Sequence, residues 1–266
     1  MSIITLTSDY GSKDPFSGIW KGILCSLSPD LQMVDITHSI APANFLEASY
    51  IINSVYHNFP KGTIHLIAIE EMDVLSINYI AMKKDDHFFI APDNGILSLI
   101  KPEFRTDAIH QIDIESHEQN TSGMAVMSKS AVYLSQGGAI SMLGKPYVSP
   151  KTITPRNPVF FDAQKQLQGH IIYIDRRGNL ITNIHKSVFQ KYISDKPFSI
   201  ALPARNNITR ITNSFRDIKQ EAVTFALFNE NQLLEIGING GSYRQSTGAS
   251  HLLGLSLQDK ITVEIV

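Results

Sequence analysis

The sequence predicts two domains of different class: an α/β N-terminal domain with a mainly parallel sheet, and an all-β, antiparallel, barrel-like C-terminal domain. Three observations carry this reading. Through about residue 140, short apolar runs alternate with helically spaced segments, the pattern of crossover units that build parallel sheets. From about 165 the chain becomes a series of short alternating runs, HIIYID, NLITNI, AVTFALF, LLEIGI and KITVEIV, punctuated by Gly, Asn and Asp as in small antiparallel barrels or sandwiches. Between them cluster Pro146, Pro150, Pro155 and Pro158. The expected organisation is therefore a domain over 1–145, a Pro-rich linker over 146–164 and a second domain over 165–266.

Each element has a local signature. IITLTS (3–8) is an apolar run that ends in the polar turn Ser8-Asp9-Tyr10-Gly11. Asp14-Pro15 then opens a helix in which Phe16, Ile19, Trp20, Ile23, Leu24 and Leu27 recur at helical spacing. Met33-Val34-Asp35-Ile36 reads as a second strand, and Asn44 to Phe59 as a second amphipathic helix closed by Pro60 and Gly62. Residues 63–69 give a third strand. Tyr79 to Lys83 and His87 to Ala91, joined by Lys84-Asp85-Asp86, read as an antiparallel pair, and APDNGILS (91–98) supplies a turn. A helix over 123–136 is entered at Ser122-Gly123 and ended at Gly137-Gly138. There is no internal repeat and no low-complexity tract.

Composition narrows the function. The 266 residues are 43% hydrophobic and 18% charged, which suits one large or two medium globular domains. A formal charge of -2 offers no basic field to phosphate backbones or anionic lipid, so no nucleic-acid partner is expected. No stretch approaches the roughly 20 apolar residues of a membrane span, and the first residues lack the charged start and apolar core of a signal peptide. The lone Cys25 allows no internal disulfide and no cysteine-rich metal site. The expectation is a soluble, cytoplasmic protein that does not engage membranes.

Few motifs survive a test from chemistry alone. Gly144-Lys145 is followed by Pro146, whose missing N–H spoils a phosphate cradle, and GINGGSYRQSTG (237–248) fits no dinucleotide fingerprint and reads as a turn. No G-x-S-x-G elbow and no His-x-x-x-His pair occurs. His110 and His117 lie near Asp113, Glu115 and Glu118, but a solvated polar loop accounts for that cluster, so no metal is expected. Three polar turns remain: SDYG (8–11), PDNG (92–95) and IDRRGNLITN (174–183). Each sits at the end of an apolar run, where open α/β sheets bind ligands. Asp and Asn in such turns also serve simply to bend or cap their own backbone.

TSDYGSKDPFSGIWKGIL (7–24), DITHSIAP (35–42), FPKGTIHL (59–66), APDNGILS (91–98), IDRRGNLITNI (174–184) and LLEIGINGGSYRQ (233–245) resemble, in order, landmarks of the S-adenosylmethionine (SAM) hydrolase family. This family, also called SAM hydroxide adenosyltransferases, includes the SAM-dependent fluorinase and chlorinase. The resemblance covers nearly the whole chain. It implies an α/β domain followed by an antiparallel β domain, a homotrimer, and a SAM site between the N-terminal domain of one subunit and the C-terminal domain of its neighbour. The implied chemistry is attack by hydroxide or halide at the 5′ carbon of the adenosyl group, expelling methionine, with no metal or organic cofactor. A sulfonium leaves as a neutral thioether and needs no general acid.

By this resemblance Asp9 matches the carboxylate that chelates the ribose diol, although the residue alone is also compatible with a cap on the following helix. Asp175 matches the acid that meets the methionine ammonium, and Asn179 the Asn that reads the adenine edge. Arg177 stands where an aromatic residue is usual, so a guanidinium face replaces or weakens stacking on the base. Asp93 and Asn94 match the PDNG turn near the site, and Phe16 and Asn94 complete the expected adenosyl-binding set.

The departures fall on the chemistry. Family hydrolases have a Val-Asp-Pro-Gly-Val-Gly segment followed by Arg, and a Phe-His-Gly-Arg-Asp segment, whose Asp, Arg and His prepare the attacking water. Here the first is IEEMDVLSIN (69–78), with Glu70 at the Asp position and Ile77 or Asn78 at the Arg. The second runs through TSGMA (121–125), with Ser122 at the His position and Met124 and Ala125 at the Arg and Asp. Glu230 and Asn231 stand at the methionine carboxylate site, where a Ser and its neighbour are usual. Removing even one preorganised catalytic group commonly costs ~10² or more in rate. The expectation is a diverged SAM hydrolase-type enzyme in which Glu70 orients water and Ser122 is a polar replacement. The alternative is a catalytically silent binder of adenosine or a related nucleoside. Which of Glu70, Glu71 and Asp73 faces the pocket stays open.

Overall fold

The computed structural model describes residues 2–71, 78–100, 109–113, 122–193, 196–203, 207–240 and 247–266. Asp73, Ile77, Glu115, His117, Glu118 and residues 241–246 of the glycine-rich segment lie outside the described residues. The chain divides into two units, Met1–Pro155 and Arg156–Val266.

The first unit is built on a six-stranded sheet ordered β2 (Gln32–Thr37), β1 (Ile3–Ser8), β3 (Ile64–Ala68), β5 (His87–Pro92), β4 (Tyr79–Lys84) and β6 (Ile109–Gln111). The first four strands run parallel, and β4 is antiparallel to both β5 and β6. The sheet is mainly parallel, as the alternating pattern predicts. Helices cover both faces, which is why β1 and β3 are buried at nearly every position rather than on alternate ones. On one face α1 (Phe16–Leu27) and α4 (Gly123–Ser135) bury Trp20, Leu24, Met127 and Ala131 against Ile4, Leu6, Leu66 and Ile90. On the other, α2 (Phe45–Val55) and α3 (Ile96–Ile100) bury Ala48, Ile52, Ile96 and Ile100 against Ile67, Met82 and Phe89. Each of the buried Leu, Ile, Met and Phe side chains contributes about 1.5–3 kcal/mol on leaving water.

Several local details differ from the sequence expectation. Ile19 and Leu27 remain 50% and 39% exposed, so the apolar stripe of α1 is wider than the face it buries. The second helix ends at Val55 and tightens into a 3₁₀ turn over Tyr56–Asn58 before Pro60. Its start is fixed reciprocally: Asn44 Oδ1 accepts from the Glu47 N–H, and the Glu47 carboxylate accepts from Asn44 Nδ2 and the Ala41 N–H. Residues 147–153 are bound to the first unit, with the Tyr147 hydroxyl and the Lys151 N–H donating to Asp93 and the Ile153 N–H to Ser98.

A buried imidazole pair in this unit has a measurable consequence. His65 Nδ1 lies 2.7 Å from Thr5 Oγ1, and its Nε2 lies 3.2 Å from His87 Nδ1. Burial, and then the neighbouring His87, lower the pKa of His65 from an ordinary 6.5 to about 3. The unfolded chain therefore binds a proton that the folded protein refuses. Stability is held above about pH 6.5 and falls progressively as pH drops toward 3. Between pH 7 and 4.5 the loss from this group is about 2.5 kcal/mol. Urea unfolding at both values is expected to show it, and to show less in His65→Gln.

In the second unit the pairings between the described strands are antiparallel, and one isolated parallel bridge joins Ile211 to Ala226. The order is β10 (Phe198–Ile200), β13 (Lys260–Ile265), β8 (Gln166–Ile174), β9 (Leu180–His185), β12 (Leu233–Ile238) and β11 (Thr224–Phe228), with β7 (Val159–Phe161) beside β8. The sheet curls as a half-barrel around Leu167, Ile171, Leu180, Ile184, Leu234, Ile236 and Val263, closed by α5 (Lys186–Tyr192) and α6 (Ala249–Leu253). Gly178 has φ +79° and packs so closely on Gly248 that a Cβ on it would lie 2.9 Å from the Gly248 Cα. Two glycines therefore seat the 175–179 turn against the start of α6. Among the described residues no helix is long and apolar enough to cross a membrane.

Candidate functional site

Parallel pairing with Ser8 opposite Ala68 brings the carboxyl ends of β1 and β3 together, so the turn after one strand faces the turn after the other. Asp9 follows β1. Its Oδ2 accepts from the backbone N–H groups of Ala43 and Glu70, both at 3.0 Å. No described residue donates to Oδ1. The helix-cap reading of Asp9 does not hold, because the residue at the start of α1 is Pro15, with no side-chain cap. Behind Asp9, buried Ser8 places its Oγ 2.7 Å from His38 Nδ1, and the Gly11 N–H donates to the His38 carbonyl at 2.7 Å. The turn is thus fixed from both sides.

Glu70 and Glu71 follow β3 and are treated very differently. Glu70 has φ +51°, an exposed side chain, and an N–H given to Asp9. Glu71 is buried, at 7% exposure. Its Oε2 accepts from the Tyr10 hydroxyl at 2.6 Å and its Oε1 from the Tyr79 hydroxyl at 2.8 Å. Burial first, and then the hydrogen bond to Glu71, push both phenols well above their ordinary range, so they remain protonated donors. The start of α4 closes the group. A Cβ on Gly123 would lie 1.7 Å from the Tyr79 hydroxyl and 1.9 Å from Glu71 Oε1, so only glycine fits. Ser122, beside it, is the N-cap of α4 and accepts from the Ala125 N–H at 3.3 Å.

The other expected residues of this unit support the turns. Asn94 Nδ2 donates to the Ile69 carbonyl at 2.6 Å and its Oδ1 accepts from the Ile96 N–H, so the side chain braces the peptide just before Glu70. Phe16 is half-buried, with its ring 6.0 Å from that of Tyr10. The structure thus gathers Asp9 and Glu70 directly, and Asn94 and Phe16 one contact away. Tyr10, Tyr79 and Gly123 carry no sequence signal as a group, being ordinary residues brought together only by strand register.

In the second unit Asp175 Oδ1 accepts from the N–H groups of Arg177 and Asn179, each at 2.8 Å, and Oδ2 from Asn179 Nδ2 at 3.1 Å. The same Asn179 nitrogen donates to Glu235 Oε1 at 3.0 Å. Burial, and then the nearby Asp175, hold the Glu235 carboxyl above its usual range. Both amide protons of Asn179 are directed at carboxylates, which leaves its carbonyl as the group able to meet a ligand's amino donor. Arg177 and Glu230 are exposed. Among the described residues no group of His, Cys, Asp and Glu is arranged to hold a metal ion.

These features define a two-unit protein in which a mainly parallel sheet fixes carboxylates at its strand ends and an antiparallel β unit carries a second polar turn. Residues 4–144 match the SAM hydroxide adenosyltransferase N-terminal domain and residues 169–262 the corresponding C-terminal domain. The chain belongs to the SAM hydroxide adenosyltransferase family. It is 27% identical to an (R)-S-adenosyl-L-methionine hydrolase of Methanocaldococcus jannaschii, over 99% of this chain and 96% of that one. It is 22% identical to a fluorinase of Nocardia brasiliensis, over 71% and 73% of the two chains. The fold resembles that of an uncharacterized conserved protein from Thermotoga maritima, with a TM-score of 0.83 at 24% identity over 98% and 100% of the chains.

Proposed function

We propose that the protein is a diverged SAM hydrolase, which uses water to split SAM into adenosine and methionine without a metal or organic cofactor. Asp9 carries this reading. Two backbone N–H groups fix one of its oxygens, and the other takes no bond from a described residue, an arrangement suited to two vicinal ribose hydroxyls. In this proposal Asn94 and Phe16 support the same pocket, Asp175 meets the methionine ammonium, and the Asn179 carbonyl meets the adenine amino group. Water forms a bond to the 5′ carbon as the carbon–sulfur bond breaks with its electron pair passing to sulfur. Bringing anionic character onto a cation removes charge, which a dry site favours.

A second reading, a catalytically silent nucleoside binder, draws on two observations. Ser122 is engaged as a helix cap, and the Glu70 side chain is exposed with no bond from a described residue, so no described contact holds either expected catalytic residue toward a ligand. One experiment separates the two. Incubation of purified protein with SAM, followed by chromatography, is expected to yield adenosine and methionine in equal amounts. Binding of adenosine by calorimetry with no product from SAM would favour the silent binder. The homotrimer and the cytoplasmic setting belong to the same proposal, and light scattering reads the first.

A further inference from the structure

We infer that Glu71, rather than Glu70 or Ser122, is the catalytic carboxylate of this site, orienting the attacking water and taking its proton while Tyr10 and Tyr79 hold it in position. This rests on the SAM-hydrolysing reading and names the group on its attack side. Glu71 and Gly123, which fall in the two segments whose family counterparts prepare water, lie against each other in the structure. Among the described residues Glu71 is the acid at that contact. The Glu70 side chain is exposed and takes no bond from a described residue, and the Ser122 hydroxyl is tied to its own helix.

The geometry of Glu71 suits the role. Each oxygen receives one tyrosine hydroxyl, at 2.6 and 2.8 Å, and each keeps a further lone pair for a water. Two donors on opposite oxygens also forbid the carboxylate from swinging, which supplies the orientation that a mobile surface acid lacks. Among the described residues no Lys, Arg or His forms an ion pair with it, so the positive charge of a sulfonium substrate is the available counter-charge. The step balances simply. The water oxygen bonds to the 5′ carbon, the sulfur leaves as the neutral thioether of methionine, and one water proton passes to Glu71 and on to solvent.

The test measures adenosine formation at saturating SAM for the unaltered protein, Glu71→Gln and Glu70→Gln, with SAM affinity from calorimetry and folding from melting curves. Glu71→Gln is expected to lower kcat by about 10²-fold or more, with SAM still bound. Glu70→Gln is expected to lose far less. Equal or greater loss in Glu70→Gln, or a retained rate in Glu71→Gln, would overturn the assignment alone. No adenosine from the unaltered protein would overturn the SAM reading together with it. Tyr79→Phe keeps the carboxylate but removes one donor, so kcat should fall at unchanged KM. An unchanged kcat there counts against the clamp even if Glu71→Gln fails to fold.

Discussion

Asp9→Ala is expected to abolish measurable nucleoside binding while both units stay folded. The carboxylate is only partly buried, and what it gives the fold is two hydrogen bonds, from the N–H groups of Ala43 and Glu70. Their loss costs about 1 kcal/mol each at positions where water can substitute. Its proposed contribution to binding is larger, because hydroxyl donors on a fixed carboxylate are charge-assisted and worth about 1.5–3 kcal/mol apiece. Losing both weakens adenosine by about 10²-fold or more, beyond the range of ordinary calorimetry for a micromolar ligand. Asp9→Asn, which keeps an acceptor for the two backbone groups, should restore the melting temperature but not the affinity. Unchanged affinity in Asp9→Ala would remove the residue from the site.

Much of the scaffold is legible because burial on both faces leaves a plain trace. β3 is apolar at every position but His65, β1 opens on two isoleucines and carries Leu6, and Trp20 and Leu24 recur at helical spacing, so strand, helix and, from their alternation, parallel order can be read. α3, β6 and β7 leave no such trace, being three to five residues long, too short to show a period. Asp9 is legible through its place at a strand end and through family resemblance. The Tyr10–Glu71–Tyr79 group is not, since its bonds join residues 61 and 8 positions apart that have no common motif. Only the Ser8–Ala68 register sets Tyr10 beside Glu71. Glu235 is hidden differently: it interrupts the run LLEIGI as an outward-facing polar residue would, yet it is buried and holds Asn179.

The same substitution on two helices of the first unit should act with opposite sign, and the contrast tests the packing around Glu71. Helix propensity alone favours Ala over Gly by about 1 kcal/mol. Gly22 lies within α1, exposed, with nothing within 4 Å of the place a methyl group would take, so Gly22→Ala should raise the melting temperature slightly. Gly123, at the start of α4, has no such room. Its methyl would sit 1.7 Å from the Tyr79 hydroxyl, 2.3 Å from Tyr79 Cζ and 1.9 Å from Glu71 Oε1. The phenol ring is half-buried against the core and is not a free chain end that can swing aside. Relief therefore requires Tyr79 and Glu71 to part, leaving a buried carboxylate short of a donor at about 1–3 kcal/mol. That loss exceeds the propensity gain, so Gly123→Ala should melt below the unaltered protein, and its SAM turnover should fall with the displaced carboxylate. A Gly123→Ala protein as stable as Gly22→Ala, with turnover intact, would mean that the start of α4 does not press on Glu71.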